Sequence, residues 1–236
     1  YELLSYSDTL AQAEKLVQLM RADTNVDFAN SWKLITLFIG ANDICDYCKD
    51  EKTFSAESYL NNLRLALDYL HQHVPRAFVN LVELLPVESV RNLGDNLLCK
   101  TVHSAVCHCV ANPSSEEEAR RAVRLREEYQ KVTQNLVASG RYDTRDDFTV
   151  VLQPFYRNST LPTTSDGQVD LTYFASDCFH YSKKGQQSVA EALWDNMIQP
   201  VGCKQTSWKH GYPITCPTEE NPYLYTAKNS NSTRTQ

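Results

Sequence analysis

Apolar positions along the 236 residues fall into alternating helix-period and strand-like blocks. In residues 8–21, Leu10, Ala13, Val17 and Met20 share one helical face. "KLITLFIG" (33–40) follows, β-branched and aromatic and closed by a glycine, and predicts a parallel strand buried on both faces. Leu60, Leu63, Leu67 and Leu70 then mark a helix over 55–73. "RAFVNLVELLP" (76–86) predicts a second strand ended by Pro86. Residues 87–113 show no clean period. A helix over 115–139 is better delimited: Ser115 and Glu118 form a capping box, and Gly140 suits the position just past its end. Its stripe is Ala122, Leu125, Tyr129, Val132 and Leu136. "DFTVVLQPF" (147–155) predicts a third strand, and 182–198 a last helix with Val189, Leu193 and Met197 aligned.

Helices alternating with buried strands predict a doubly wound α/β sheet of flavodoxin-like type, with helices on both faces. Residues 1–202 read as this domain and 203–236, rich in Pro, Asn, Ser and Thr, as a surface wrap or linker tail. Composition adds little beyond exclusions. A hydrophobic fraction of 42% is globular, and a net charge of −6 without a basic stripe argues against nucleic acid. The longest near-apolar run, Leu34–Ala41, is too short to cross a bilayer.

Ligands in such sheets sit beyond the carboxyl ends of the strands. Two segments reach that rim. In "ASDCFHYSKKGQ" (175–186), Asp177 and His180 stand three apart ahead of the last helix. An imidazole whose other nitrogen is held by a carboxylate can take the proton of a serine hydroxyl. In "GANDIC" (40–45), Gly40 allows a tight turn and the Asn42 amide can donate to an oxyanion. Taken singly, the first is a common tetrapeptide and the second a turn filler. Lys183 and Lys184 open the last helix and either meet an anionic group or face water.

Taken together, "LFIGANDICDYC" and "SDCFHYSKKGQQSVAEALWDNM" resemble two blocks of the GDSL/SGNH hydrolases, in the pattern of the phospholipase B type. The resemblance covers most of the chain. It implies a lipid esterase with Asp177 as triad acid, His180 as base and Asn42 as oxyanion-hole donor. It implies phospholipid and lysophospholipid substrates and no cofactor or metal. Location would be the extracellular face of a plasma membrane, or secreted, with membrane association through parts outside these residues. One departure is large. No Gly-Asp-Ser or Gly-x-Ser-x-Gly occurs, and none of the seven glycines precedes Gly40. The sheet is therefore expected to lack its N-terminal strand and nucleophile block, and the 236 residues alone to be inactive. Ser5 and Ser7, the earliest serines, have no glycine turn. A catalytically silent repeat serving as an interaction module is the alternative.

Eight cysteines and the sequons at Asn158 and Asn231 point to an oxidising compartment and glycosylation. Cys203 and Cys216, which bracket a loop, are the first expected disulfide. Cys178, inside the Asp177–His180 turn, either packs or bridges. Cys45-x-x-Cys48 with Cys107, His108 and Cys109 offers a rival zinc-binding reading. The remaining histidines, 71, 73, 103, 108 and 210, carry no partnered motif.

Overall fold

Hydroxyl and amide side chains start the helices where the apolar periods begin. Ser55, Asn96, Ser115 and Ser182 each accept a backbone N–H of the first turn. The computed structural model describes residues 6–94, 96–208, 210–211 and 213–230. Its helices are α1 (Thr9–Ala22), α2 (Ala41–Asp46), α3 (Ala56–His73), α4 (Leu97–Val106), α5 (His108–Ala111), α6 (Glu116–Ala138), α7 (Lys183–Met197) and α8 (Ala227–Ser230). The strands are β1 (Lys33–Leu37), β2 (Ala77–Val82) and β3 (Phe148–Gln153). They pair in parallel in the order β1-β2-β3, with Ile35 opposite Val79 and Val79 opposite Val150. The unassigned stretch 87–113 holds a 3₁₀ turn (Val87–Asn92), α4 and α5.

Burial follows from the layers. α1, α3 and α6 lie side by side on one face, where Val17, Leu63, Leu67, Tyr129, Val79 and Ile35 form the core. β2 is buried along its whole length. On the other face α7 packs against the sheet, and the Asn80 amide of β2 meets Met197 Sδ at 3.2 Å. Asn80 in turn accepts from Gln153 Nε2 at 2.7 Å, which links β2 and β3 beneath α7.

Two expectations are corrected here. β1 is not buried on both faces: Lys33 and Ile35 are covered, but Leu34 is 55% exposed and the neighbouring Trp32 60%. β1 is an edge strand among the described residues. Periodicity reports that a residue is apolar; only topology says whether a neighbour covers it. Cys203 and Cys216 do not pair; both are free and exposed. The Trp194 indole donates to Thr215 O at 2.8 Å, and Thr215 N donates to Asp195, which fixes Cys216 beside the last turn of α7. Cys203 follows the end of that helix.

The segment after 202 contributes to the core through Trp208. Trp208 is 7% exposed, its indole N–H donates to Ser188 of α7, and Tyr156, Tyr173 and Tyr181 surround its ring. Among the described residues, no helix is long and apolar enough to cross a membrane.

Candidate active site

All three strands deliver their carboxyl ends to one cavity of about 350 Å³. β1 leads to Asn42, β2 to Leu85–Val90 and β3 to Tyr156 and Ser159. The turn before α7 adds His180. Sequence expectation and structure agree in bringing Asn42 and His180, some 140 residues apart, to one rim. The lining is mainly apolar: Phe38, Val90, Leu93, Phe179 and Trp208 contribute to it.

The Asp177–His180 turn is built by hydrogen bonds from both ends. Asp177 Oδ1 accepts the backbone N–H groups of Phe179 and His180, each at 3.0 Å. That leaves Oδ2 for His180 Nδ1 at 2.7 Å. Ala175 N donates to His180 O and Cys178 N to Ala175 O, which closes the loop. Burial opposes ionisation of Asp177, but the bonds from the His180 ring and the two amides outweigh it and hold the carboxyl below its ordinary range. An ionised carboxylate only accepts, so His180 Nδ1 carries a proton, and in the neutral form of the ring Nε2 presents the lone pair. The ring is 67% exposed. This is the arrangement a general base needs.

The Asn42 loop is set differently. Gly40 has φ +113°, and a Cβ there would stand 3.0 Å from Tyr59 and 3.2 Å from Leu84. Asn42 follows in the first turn of α2, with Asp43, Ile44 and Cys45 buried beneath it. Lys184, a candidate for substrate contact, instead pairs with Asp170 at 2.9 Å and lies over the Tyr173 ring. Lys183 is exposed. Ser7 lies in a 3₁₀ turn (Tyr6–Asp8) ahead of α1, and Ser5 is outside the described residues.

Both loops are stapled to the same short stretch. Cys45 bonds Cys107, Cys48 bonds Cys109 and Cys178 bonds Cys99. The zinc reading is thereby overturned, since four of its five ligands are consumed in two disulfides. The lack of a clean period in 87–113 hid this role: α4 and α5 form a bracket that holds the Asn42 loop on one side and the Asp177–His180 turn on the other. The signal available was the three cysteines at 99, 107 and 109, but pairing needs the fold. Of the two sequons, Asn158 is exposed, its amide donating to Thr206 at 3.1 Å, and Asn231 lies outside the described residues.

Comparison with known proteins agrees with this topology. The profile of the GDSL-like lipase/acylhydrolase family matches residues 5–193, and the chain belongs to that family. It is similar to membrane-associated phospholipase B1 of Homo sapiens, with 44% identity over 229 residues. It is likewise 44% identical over 232 residues to the Mus musculus and Rattus norvegicus proteins of the same name. These matches cover 94–95% of the chain but only 16% of each relative. No solved structure matches it.

Proposed function

We propose that these residues supply the base, the acid and an oxyanion donor of a phospholipase B or lysophospholipase site, completed by a serine from polypeptide outside the 236. The observation that carries this is the Asp177–His180 pair, bonded at 2.7 Å, on the rim of an apolar cavity that Asn42 also lines. The relatives' printed names and the family's esterase class support the lipid substrate. The three disulfides support an oxidising compartment, at the extracellular membrane face or secreted.

In this reading His180 Nε2 takes the serine hydroxyl proton as its oxygen attacks the ester carbonyl carbon. The carbonyl π pair moves onto oxygen, where the Asn42 amide donates a hydrogen bond. Collapse expels the alcohol of the lipid, which takes the proton from His180. Water then attacks the acyl-serine, giving its proton to His180, and the fatty acid leaves as the serine is reprotonated. The apolar cavity takes the acyl chain. Asp177 keeps its negative charge throughout and holds the ring.

The open edge of β1 supports the missing partner. Trp32 and Leu34 are exposed there, and Phe38, 40% exposed, lies between that edge and the cavity. A further parallel strand beside β1 would cover them and bring its own carboxyl end to the same rim. The test is hydrolysis of lysophosphatidylcholine and a soluble short-chain ester by the full-length protein. His180→Ala is expected to lower kcat by about 10⁴-fold; an unchanged rate contradicts the assignment.

A further inference from the structure

α4 does more than carry a cysteine. Cys99 and His103 are one helical turn apart and face the same way, and both are buried, at 0% and 4% exposure. Both reach the same residue: Cys99 through the disulfide to Cys178, and His103 through Nε2, 2.7 Å from the Cys178 carbonyl oxygen. A carbonyl only accepts, so His103 Nε2 carries the proton and donates.

Cys178 is the first of the two residues between the proposed triad acid and its histidine, and it needs holding. Its φ is +57°, in the left-handed region that residues other than Gly, Asn and Asp rarely adopt. That conformation folds the turn so that Asp177 Oδ1 caps Phe179 and His180 while Oδ2 meets the ring. The clamp is fitted closely: a Cβ at Gly94, where φ is +82°, would stand 2.8 Å from Cys99 Sγ. The His103 ring also lies 6.4 Å from Phe179, which stacks edge-on against His180 at 5.0 Å.

We infer that His103 is a positioning residue: its hydrogen bond to the Cys178 carbonyl, beside the Cys99–Cys178 bond, sets the orientation of the Asp177–His180 pair. The inference rests on the proposed role of that pair. Substrate and reacting atoms are not touched by His103. A Cys-x-x-x-His spacing on a helix, which suggests metal ligation, here grips a turn.

The direct test is the His180 ring itself, in the full-length protein segmentally labelled with ¹⁵N-histidine over these 236 residues, so that only six imidazoles contribute. A slowly exchanging, downfield Nδ1 proton on His180 is expected in the native protein. His103→Leu should broaden or abolish that signal, and His103→Gln, which retains an N–H donor of similar reach, should restore it. His108→Leu serves as the control and leaves it in place. If the leucine variant does not fold, His103→Asn replaces it, since its amide is too short to reach the Cys178 carbonyl; loss of the signal is expected again. An unchanged His180 resonance in either folded variant overturns the inference. In the full-length protein, the expected counterpart is a kcat lowered about 10- to 100-fold by His103→Leu, with KM changed less than about twofold because His103 stays off the substrate. Absence of ester hydrolysis in the native protein would defeat the proposed function while leaving the ring measurement decisive for His103.

Discussion

The two loops that meet at the cavity are secured in opposite ways. The Asn42 loop is backed by the core, with Gly40 against Tyr59 and Leu84 and with Ile44 and Cys45 buried, and two disulfides tie it to the bracket. The Asp177–His180 turn stands out from the core, its histidine ring 67% exposed. One disulfide and the His103 bond hold it. A fixed donor suits an oxyanion hole, because its dipole must already point at the developing charge. A proton carrier must reach both a nucleophile and a leaving group, and an exposed ring on a clamped turn can do so.

The largest effect separating the two lies in the disulfides. Cys45–Cys107 and Cys48–Cys109 close nearly the same loop, with sequence separations of 62 and 61 residues. Once one is formed, the other closes only a ring of a few residues. Replacing Cys48 and Cys109 by serine should therefore cost about 2 kcal/mol. The Cys99–Cys178 bond spans 79 residues without a companion. Its double serine replacement should cost about 4 kcal/mol, read as a shift in the denaturant midpoint. Equal losses would remove the distinction between a redundant and a single staple.

Next comes Asn42→Ala in the full-length protein, expected to lower kcat by about 10²–10³-fold, a larger loss than any accompanying change in the stability of the fold. A matching loss of stability would recast Asn42 as a structural residue. Smaller is Ser182→Ala, which removes the hydroxyl that caps α7 at Gly185 N, 3.2 Å away. About 1 kcal/mol is expected in the denaturant midpoint. No loss at all would show that the other bonds of the turn already fix that helix start. The smallest effect is a titration. Because the folded Asp177 carboxyl lies below its ordinary value of 3.8, its contribution to stability is complete above that pH and lost as pH falls through the lowered folded value. Its carboxyl ¹³C shift should titrate with a midpoint below 3.8; a midpoint above it would mean that the His180 bond is not formed in solution.

What could be read from the residues is what short-range contacts decide. Asp177 and His180 are three residues apart, so their pairing is a property of one turn. The Ser115 cap was equally local: its hydroxyl accepts Glu118 N at 3.2 Å. Only half of that capping box forms, because the Glu118 carboxylate turns to Ser114 instead. The sheet rim was legible because strand-to-loop transitions at Gly40 and Pro86 mark the carboxyl ends. Contacts between distant segments were not. Eight cysteines admit 105 pairings, and the bracket that joins 45, 48 and 178 to 99–109 exists only once α4 and α5 are placed. Trp208 illustrates the same limit. It sits in a polar, helix-poor stretch, yet three tyrosines from elsewhere in the chain enclose its ring.

The central claim is that this site holds a base, an acid and an oxyanion donor, and takes its serine from elsewhere. Fluorophosphonate labelling with mapping of the modified peptide tests it most directly. The 236-residue chain should remain unlabelled, while the full-length protein should be modified once, on a serine outside these residues, with labelling lost in His180→Ala. Stoichiometric modification of a serine within the 236 residues, such as Ser89 or Ser159 at the cavity, would contradict the account.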